Sequence, residues 1–133
     1  QYEVFYVRKR DNLPPSLSRK TLTLVGSEMT LTTEDLVEGI EDIRLRFGLA
    51  DLAAGEVDSY TALASMAGNW GRVVSTEISV LVRSPTEDPS YVNPKSYSMA
   101  GASITRADNF RRVLITTSMS LRNPKLLIRG NAA

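Results

Sequence analysis

The 133-residue chain carries 16 basic and 15 acidic side chains, a formal net charge of +1, and 42% apolar residues, a composition that suits one compact domain spanning 1–133 rather than a disordered tail. It has no histidine and no cysteine, which excludes Ser-His-Asp and Cys-His nucleophile pairs, His- or thiolate-ligated zinc, CxxC redox chemistry and disulfides. The two signs of charge are interspersed, so the basic excess that a phosphate backbone rewards is missing and nucleic acid is not an expected partner.

The opening Tyr2-Glu3-Val4-Phe5-Tyr6-Val7-Arg8 is aromatic and β-branched, which predicts a strand. Asp11-Asn12-Leu13-Pro14-Pro15-Ser16 interrupts it. Because proline fixes φ and lacks an amide donor, Pro14-Pro15 is expected in a turn or at an edge. Leu17 and Thr21 to Val25 read as the returning strand, closed by Gly26-Ser27. Thr32-Thr33-Glu34-Asp35-Leu36-Val37-Glu38 places hydroxyls before acids, as a helix N-terminus prefers, and a short turn of helix is expected there.

From Asp42 to Phe47 the pattern has period two, with Ile43, Leu45 and Phe47 on one side and Asp42, Arg44 and Arg46 on the other, which is a half-buried strand. Gly48 to Ser59 reads as a loop, and Tyr60 to Ala67 as a short amphipathic turn or helix. Val73 to Arg83 is the next strand; since Leu81 is apolar on the face opposite Ile78, Val80 and Val82, it is expected to be central and covered on both faces. Ser84 to Ala107 holds Pro85, Pro89 and Pro94 among small polar residues and is expected to be one long connection, 84–107, that is mobile or carries binding contacts. Arg111 to Leu121 closes the domain as a strand. The sum is five or so strands with little helix, an α+β, mainly antiparallel β domain.

Candidate chemistry is thin. Asp51, Glu56 and Asp58 share a loop, but an EF-hand-like site starting at Asp51 would need side-chain oxygens where Ala53 and Gly55 stand, so no metal is expected. Glu38, Glu41 and Asp42 lie close in sequence yet point in different directions along a turn and a strand, which favours solvated surface over an acid–base pair. No Ser-x-x-Lys motif occurs, and Gly68, Gly71 and Gly101 form no phosphate cradle. No cofactor is expected, and the chain does not read as an enzyme. The arginines 44, 46, 72, 83, 112 and 122 are either solvated or paired with Glu38, Glu41, Glu77 or Asp108, and an arginine-rich sheet face also suits a subunit interface.

Three segments form an ordered series: Leu36-Val37-Glu38-Gly39-Ile40 through Gly48; Trp70-Gly71-Arg72-Val73-Val74 running into Ile78 to Ser84; and Arg111-Arg112-Val113-Leu114-Ile115 running to Leu121-Arg122-Asn123. In that order, with Tyr60-Thr61-Ala62 ahead of the tryptophan, they resemble the C-terminal region of PilW-type minor pilins of type IV pili and, more distantly, J-type minor pseudopilins of type II secretion. The residues that carry the resemblance are Leu36, Val37, Gly39, Trp70, Val74, Arg83, Arg112, Leu121, Arg122 and Asn123.

The resemblance implies a pilin-like globular domain without its N-terminal helix, the C-terminal part of a longer minor pilin that starts here at Gln1. Membrane attachment would then run only through that absent helix. It further implies a structural subunit that helps prime pilus assembly on the periplasmic side of the inner membrane and ends in the tip complex, serving twitching motility and adhesion. The partners would be other minor pilins and a pilus tip adhesin. In the family position beside Val73-Val74, Trp70 would be a buried wedge, core rather than ligand contact. The alternatives are a J-type pseudopilin and, from another class, a glycan-binding adhesin module whose aromatic patch would draw on Tyr60, Tyr91 and Tyr97.

Overall fold

The computed structural model describes residues 2–51 and 56–121. Among them are nine strands: β1 Tyr2–Arg10, β2 Leu13–Val25, β3 Glu28–Glu38, β4 Ile40–Ala50, β5 Val57–Ala62, β6 Val73–Arg83, β7 Ser96–Met99, β8 Ala102–Thr105 and β9 Arg112–Ser120. The only helical residues described are two single 3-10 turns, Leu63–Ser65 and Trp70–Arg72. They assemble as a three-stranded sheet in the order β1-β2-β3, a four-stranded sheet β5-β4-β6-β9 and the hairpin β7-β8. The expected α+β, pilin-like domain is therefore corrected: the described chain is nearly all antiparallel β.

Three local expectations change with it. Gly48 to Ser59 is not one loop, since residues 48–50 end β4 and 57–59 open β5. Thr32 to Glu38 is strand β3, not a helical turn, because the segment has a full-length partner: Thr32 pairs with Thr21, Thr33 with Lys20 and Glu34 with Arg19. Its acids meet cross-strand donors instead of a helix dipole; Ser18 Oγ donates to Asp35 at 2.6 Å. Tyr60 to Ala62 closes β5, and only Leu63–Ser65 turns.

Pro14 and Pro15 lie inside β2, the central strand. The β1–β2 register slips there, from Arg8 opposite Ser16 to Arg10 opposite Leu13, so both prolines face the single residue Lys9. A bulge is where a strand tolerates a residue without an amide donor. Gly26, at φ +64°, takes the first place of the two-residue loop between Val25 and Glu28, the position that a type II′ hairpin gives to glycine.

Gly39 is the sole residue between β3 and β4 and has φ +88°. Its N–H donates to Pro15 O at 2.8 Å and its carbonyl accepts the Arg83 N–H at 2.9 Å. A Cβ here would lie 3.0 Å from the Arg83 carbonyl oxygen, so conformation and space both ask for glycine.

The chain divides into two compact units. The first comprises residues up to Ile43, Val80–Lys95 and Arg106–Leu114. Its described buried residues are few and about half polar: Pro15, Gly39, Ile40 and Leu81 with Ser16, Ser18, Thr21, Asn93 and Arg112. The second comprises Arg44–Ser79, Ser96–Thr105 and residues from Ile115 on, with an apolar interior of Leu49, Ala50, Met66, Val74, Tyr97, Met99 and Ile104. On β6 the fully buried positions are Ser79 and Leu81, while Ile78, Val80 and Val82 are half-buried, as suits a strand between two neighbours.

Within 84–107, Ser96–Met99 and Ala102–Thr105 form the β7–β8 hairpin, and the stretch before it is tied down by hydrogen bonds. Asp88 N donates to Asn109 O and Asn93 N to Asp108 O, while the buried Asn93 side chain accepts the Lys95 N–H at 3.1 Å. The two-residue hairpin loop has Ala100 at φ +50° and Gly101 at φ +79°, the type I′ shape in which asparagine is favoured first. Alanine at left-handed φ carries a Cβ clash. Ala100→Asn should therefore raise stability by about 1 kcal/mol, read as a higher urea midpoint with unchanged slope; a lower midpoint would refute this account of the loop.

Candidate interaction surface

The strongest electrostatic feature of the first unit is Arg112, at the start of β9. Its side chain has 0% exposure, and a guanidinium so placed must be fully paired. Nε and Nη2 donate to the two Glu41 oxygens at 2.6 and 3.0 Å, and Nη2 also donates to Asp108 Oδ2 at 2.6 Å. These bonds, to Asp108 first and then Glu41, raise the Arg112 pKa and fix its charge. Asp108 is held below the ordinary carboxylate range, chiefly by the Arg112 hydrogen bonds. Beside it the Arg83 guanidinium carbon lies over the Phe110 ring, 3.9 Å from the centroid, a cation–π contact.

The β1–β3 sheet has two unlike faces. Cross-strand pairing puts Tyr2, Leu22 and Leu31 in one row and Leu24 and Met29 in the next, with Val4 on the same side. Of these, Tyr2, Val4, Leu24, Met29 and Leu31 are exposed and Leu22 is half-buried. They form a contiguous apolar patch on one sheet face. Further along that face the row is polar: Asp35 binds Ser18 and pairs with Arg10 at 2.7 Å, and its pKa is lowered, chiefly by the Ser18 hydrogen bond. On the opposite face Arg19 joins Glu34 and Glu3. Every residue of β3 is exposed, and among the described residues that strand is an edge of the sheet.

In the second unit Trp70 corrects an expectation. The ring is 56% exposed rather than a buried wedge, and its intramolecular aromatic partner is Phe47, edge-on at 5.3 Å. Its position in a 3-10 turn ahead of β6 explains this, since the following Val73 and Val74, not the ring, enter the strand. Arg46 pairs with Glu77 at 2.6 and 2.9 Å and lies over the Tyr60 ring at 4.7 Å.

The residues singled out from the sequence thus scatter. Gly39, Arg83 and Arg112 come together in the first unit, with Gly39 bonded to Arg83 and Arg83 sharing the Phe110 ring with Arg112. Leu36 and Val37 are exposed on β3. Val74 is buried and its carbonyl accepts the Leu121 N–H at 2.9 Å in the second unit. Arg122 and Asn123 lie outside the described residues. Sequence reading missed the apolar patch, although its signal was present as the even-numbered run Tyr2, Val4 and Leu22, Leu24 and the odd-numbered Met29, Leu31. It also missed the Asp88–Arg111 pair, in which Arg111 donates to Asp88 at 2.6 Å while covering the Tyr91 ring.

This geometry sets three expected outcomes. Arg112→Ala should cost on the order of 3–5 kcal/mol, since it strands Glu41 and Asp108. Because Asp108 is depressed in the folded state, its contribution is complete above the unfolded value near 3.9 and lost as pH falls through the lower folded value; Asp108→Asn should flatten the acid limb of a stability profile below about pH 4. Trp70→Ala should cost only about 1 kcal/mol, the scale of one aromatic contact, by chemical denaturation; a loss of several kcal/mol would mean the ring is core after all.

The comparisons can now be set against this geometry. No curated protein and no solved structure matches the chain. A family model described as type IV pilus-assembly protein W does match, over residues 4–123, taking in the apolar patch except for Tyr2, together with Gly39, Trp70 and the Arg112 cluster. With that match covering most of its length, the chain belongs to the PilW family of type IV pilus-assembly proteins.

Proposed function

We propose that this chain is the working domain of a minor pilin, which helps prime pilus assembly and remains in the tip complex, contributing to twitching and adhesion. Family membership implies a part in type IV pilus assembly, contacts with other pilus components and a place in the envelope or pilus. It also points to a structural protein rather than a catalyst. The observation that carries the finer reading is the apolar patch beside the β3 edge. Apolar side chains and unpaired backbone groups offered together are what a neighbouring β-subunit can cover.

The family match favours a pilus subunit over a J-type secretion pseudopilin. A glycan-binding role draws less support, because Tyr97 is buried while Tyr60 and Tyr91 already carry arginines on their faces. Exposed Trp70 is available as an anchor of the kind that dominates protein interfaces.

The test is recovery of pilus components from an envelope extract by the 133-residue chain and by Leu31→Lys, a change at an exposed position. Recovery should fall at least about tenfold for the variant, with its melting temperature unchanged. Equal recovery by both proteins would remove the patch from the interface, and recovery of no pilus component by either would sink the assembly reading.

A further inference from the structure

A cleft of about 240 Å³ in the first unit is lined by Lys9, Arg10, Leu13, Pro15, Glu41 and Arg83. Three of the six are cations. The acid among them, Glu41, already has both oxygens on Arg112. Arg10 shares Asp35 with Arg8. Arg83 also acts on Asp108, which Arg112 holds, but among the described lining residues the cations still outnumber the acids three to one.

The donors are unmet as well as charged. The Nε–H groups of Arg10 and Arg83 are both buried and have no hydrogen-bond partner, a state that native interiors rarely leave uncompensated. Arg83 cannot readily turn away to find one, because its guanidinium carbon sits 3.9 Å over the Phe110 ring centroid, and its backbone is tied to Gly39. That contact holds a planar fork of N–H groups at the cleft, which is the geometry that binds a two-oxygen anion.

The surroundings select among anions. Leu13 and Pro15 supply apolar wall beside the cations. Asp11 and Glu87 line the adjoining recess with Arg10 and Arg83, so a second negative charge on the ligand would meet repulsion. A monoanion on an apolar stem fits; a phosphate dianion fits less well.

We propose that this cleft receives a carboxylate of a partner polypeptide, an Asp or Glu side chain or a chain terminus, held by the Nε–H groups of Arg10 and Arg83 with Lys9 adding long-range attraction. The inference rests on the reading of this chain as an assembly subunit, to which it adds the chemistry of one contact.

Proton–nitrogen correlation spectra of the 133-residue chain resolve arginine Nε–Hε groups directly. The probes are a blocked Ala-Leu-Glu-Leu-Ala peptide, the same peptide with glutamine, an Ala-Leu-Leu peptide with a free C-terminus, and inorganic phosphate. The Glu peptide or the free C-terminus should shift the Arg10 and Arg83 Hε signals downfield and saturably, and whichever does so identifies the source of the carboxylate. The Gln peptide should shift neither. Arg83→Gln should weaken binding about tenfold or more, and exposed Lys9→Gln, which leaves the Phe110 contact intact, should weaken it by a smaller factor. Failure of both carboxylate peptides to move either Hε signal, or tighter binding of phosphate than of the peptides, would overturn the assignment. If pilus components are still recovered in that case, the assembly reading survives and only the cleft is misassigned.

Discussion

A guanidinium without exposed surface constrains the structure around it more than any apolar contact in the first unit. Arg112 must keep both Glu41 and Asp108 within hydrogen-bond reach or leave a buried charge uncompensated. Glu41 is 71 residues away, at the start of β4, whereas Asp108 is four residues upstream of Arg112. The pair therefore fixes where β4 and β9 begin relative to each other. Gly39 adds the backbone part of the same constraint, accepting the Arg83 N–H from β6 and donating to Pro15 on β2. With Ser16, Ser18, Thr21 and Asn93 making up half of the remaining buried set and only Ile40 and Leu81 as large apolar members, this unit is specified by directional bonds more than by apolar volume. Such networks select one arrangement without adding much net stability.

That economy has a consequence at the surface. Tyr2, Val4, Leu24, Met29 and Leu31 stay exposed on one sheet face although the interior holds few apolar side chains. If burial on folding were the use of these residues, they would be expected inside. Left outside, on strands whose mutual pairing is complete, they provide surface that association can bury. For a member of a pilus-assembly family, apolar area left on the surface of a unit held by polar links is area that association with a neighbour would bury.

How much of this was legible from sequence depended on how local the deciding interaction is. The strands at Asp42 to Phe47 and Val73 to Arg83 were read correctly because period-two alternation lies within one segment. Thr32 to Glu38 was misread because hydroxyls followed by acids suit a helix start and a cross-strand ladder equally; Ser18 and Arg10, which decide for the ladder, lie far back in the chain. The burial of Trp70 was misjudged from the family position, since a ring in a 3-10 turn with Phe47 as aromatic partner remains half outside. Glu41 and Asp108 were both visible as candidate partners for the arginines, but that Arg112 takes both follows only from the sheet order, which leaves β6 alone between β4 and β9.

The two candidate contacts of the first unit sit toward opposite ends of β1. Tyr2 and Val4 belong to the apolar patch, and Lys9 and Arg10 to the cationic cleft. Val4 and Arg10 are six positions apart along the strand, about 20 Å at the rise of an extended chain. One partner that engaged both would therefore present an apolar stretch and a carboxylate about 20 Å apart, roughly the reach of six extended residues. In such an arrangement the labour divides along physical lines: the apolar end supplies most of the buried area, and the charged end sets direction, because reversing the partner would bring its carboxylate against Tyr2 and Leu31 and leave the Arg83 fork unmet. Polarity of docking is what an assembling filament requires of its subunits, and a surface apolar at one end and cationic at the other can encode it without any moving part.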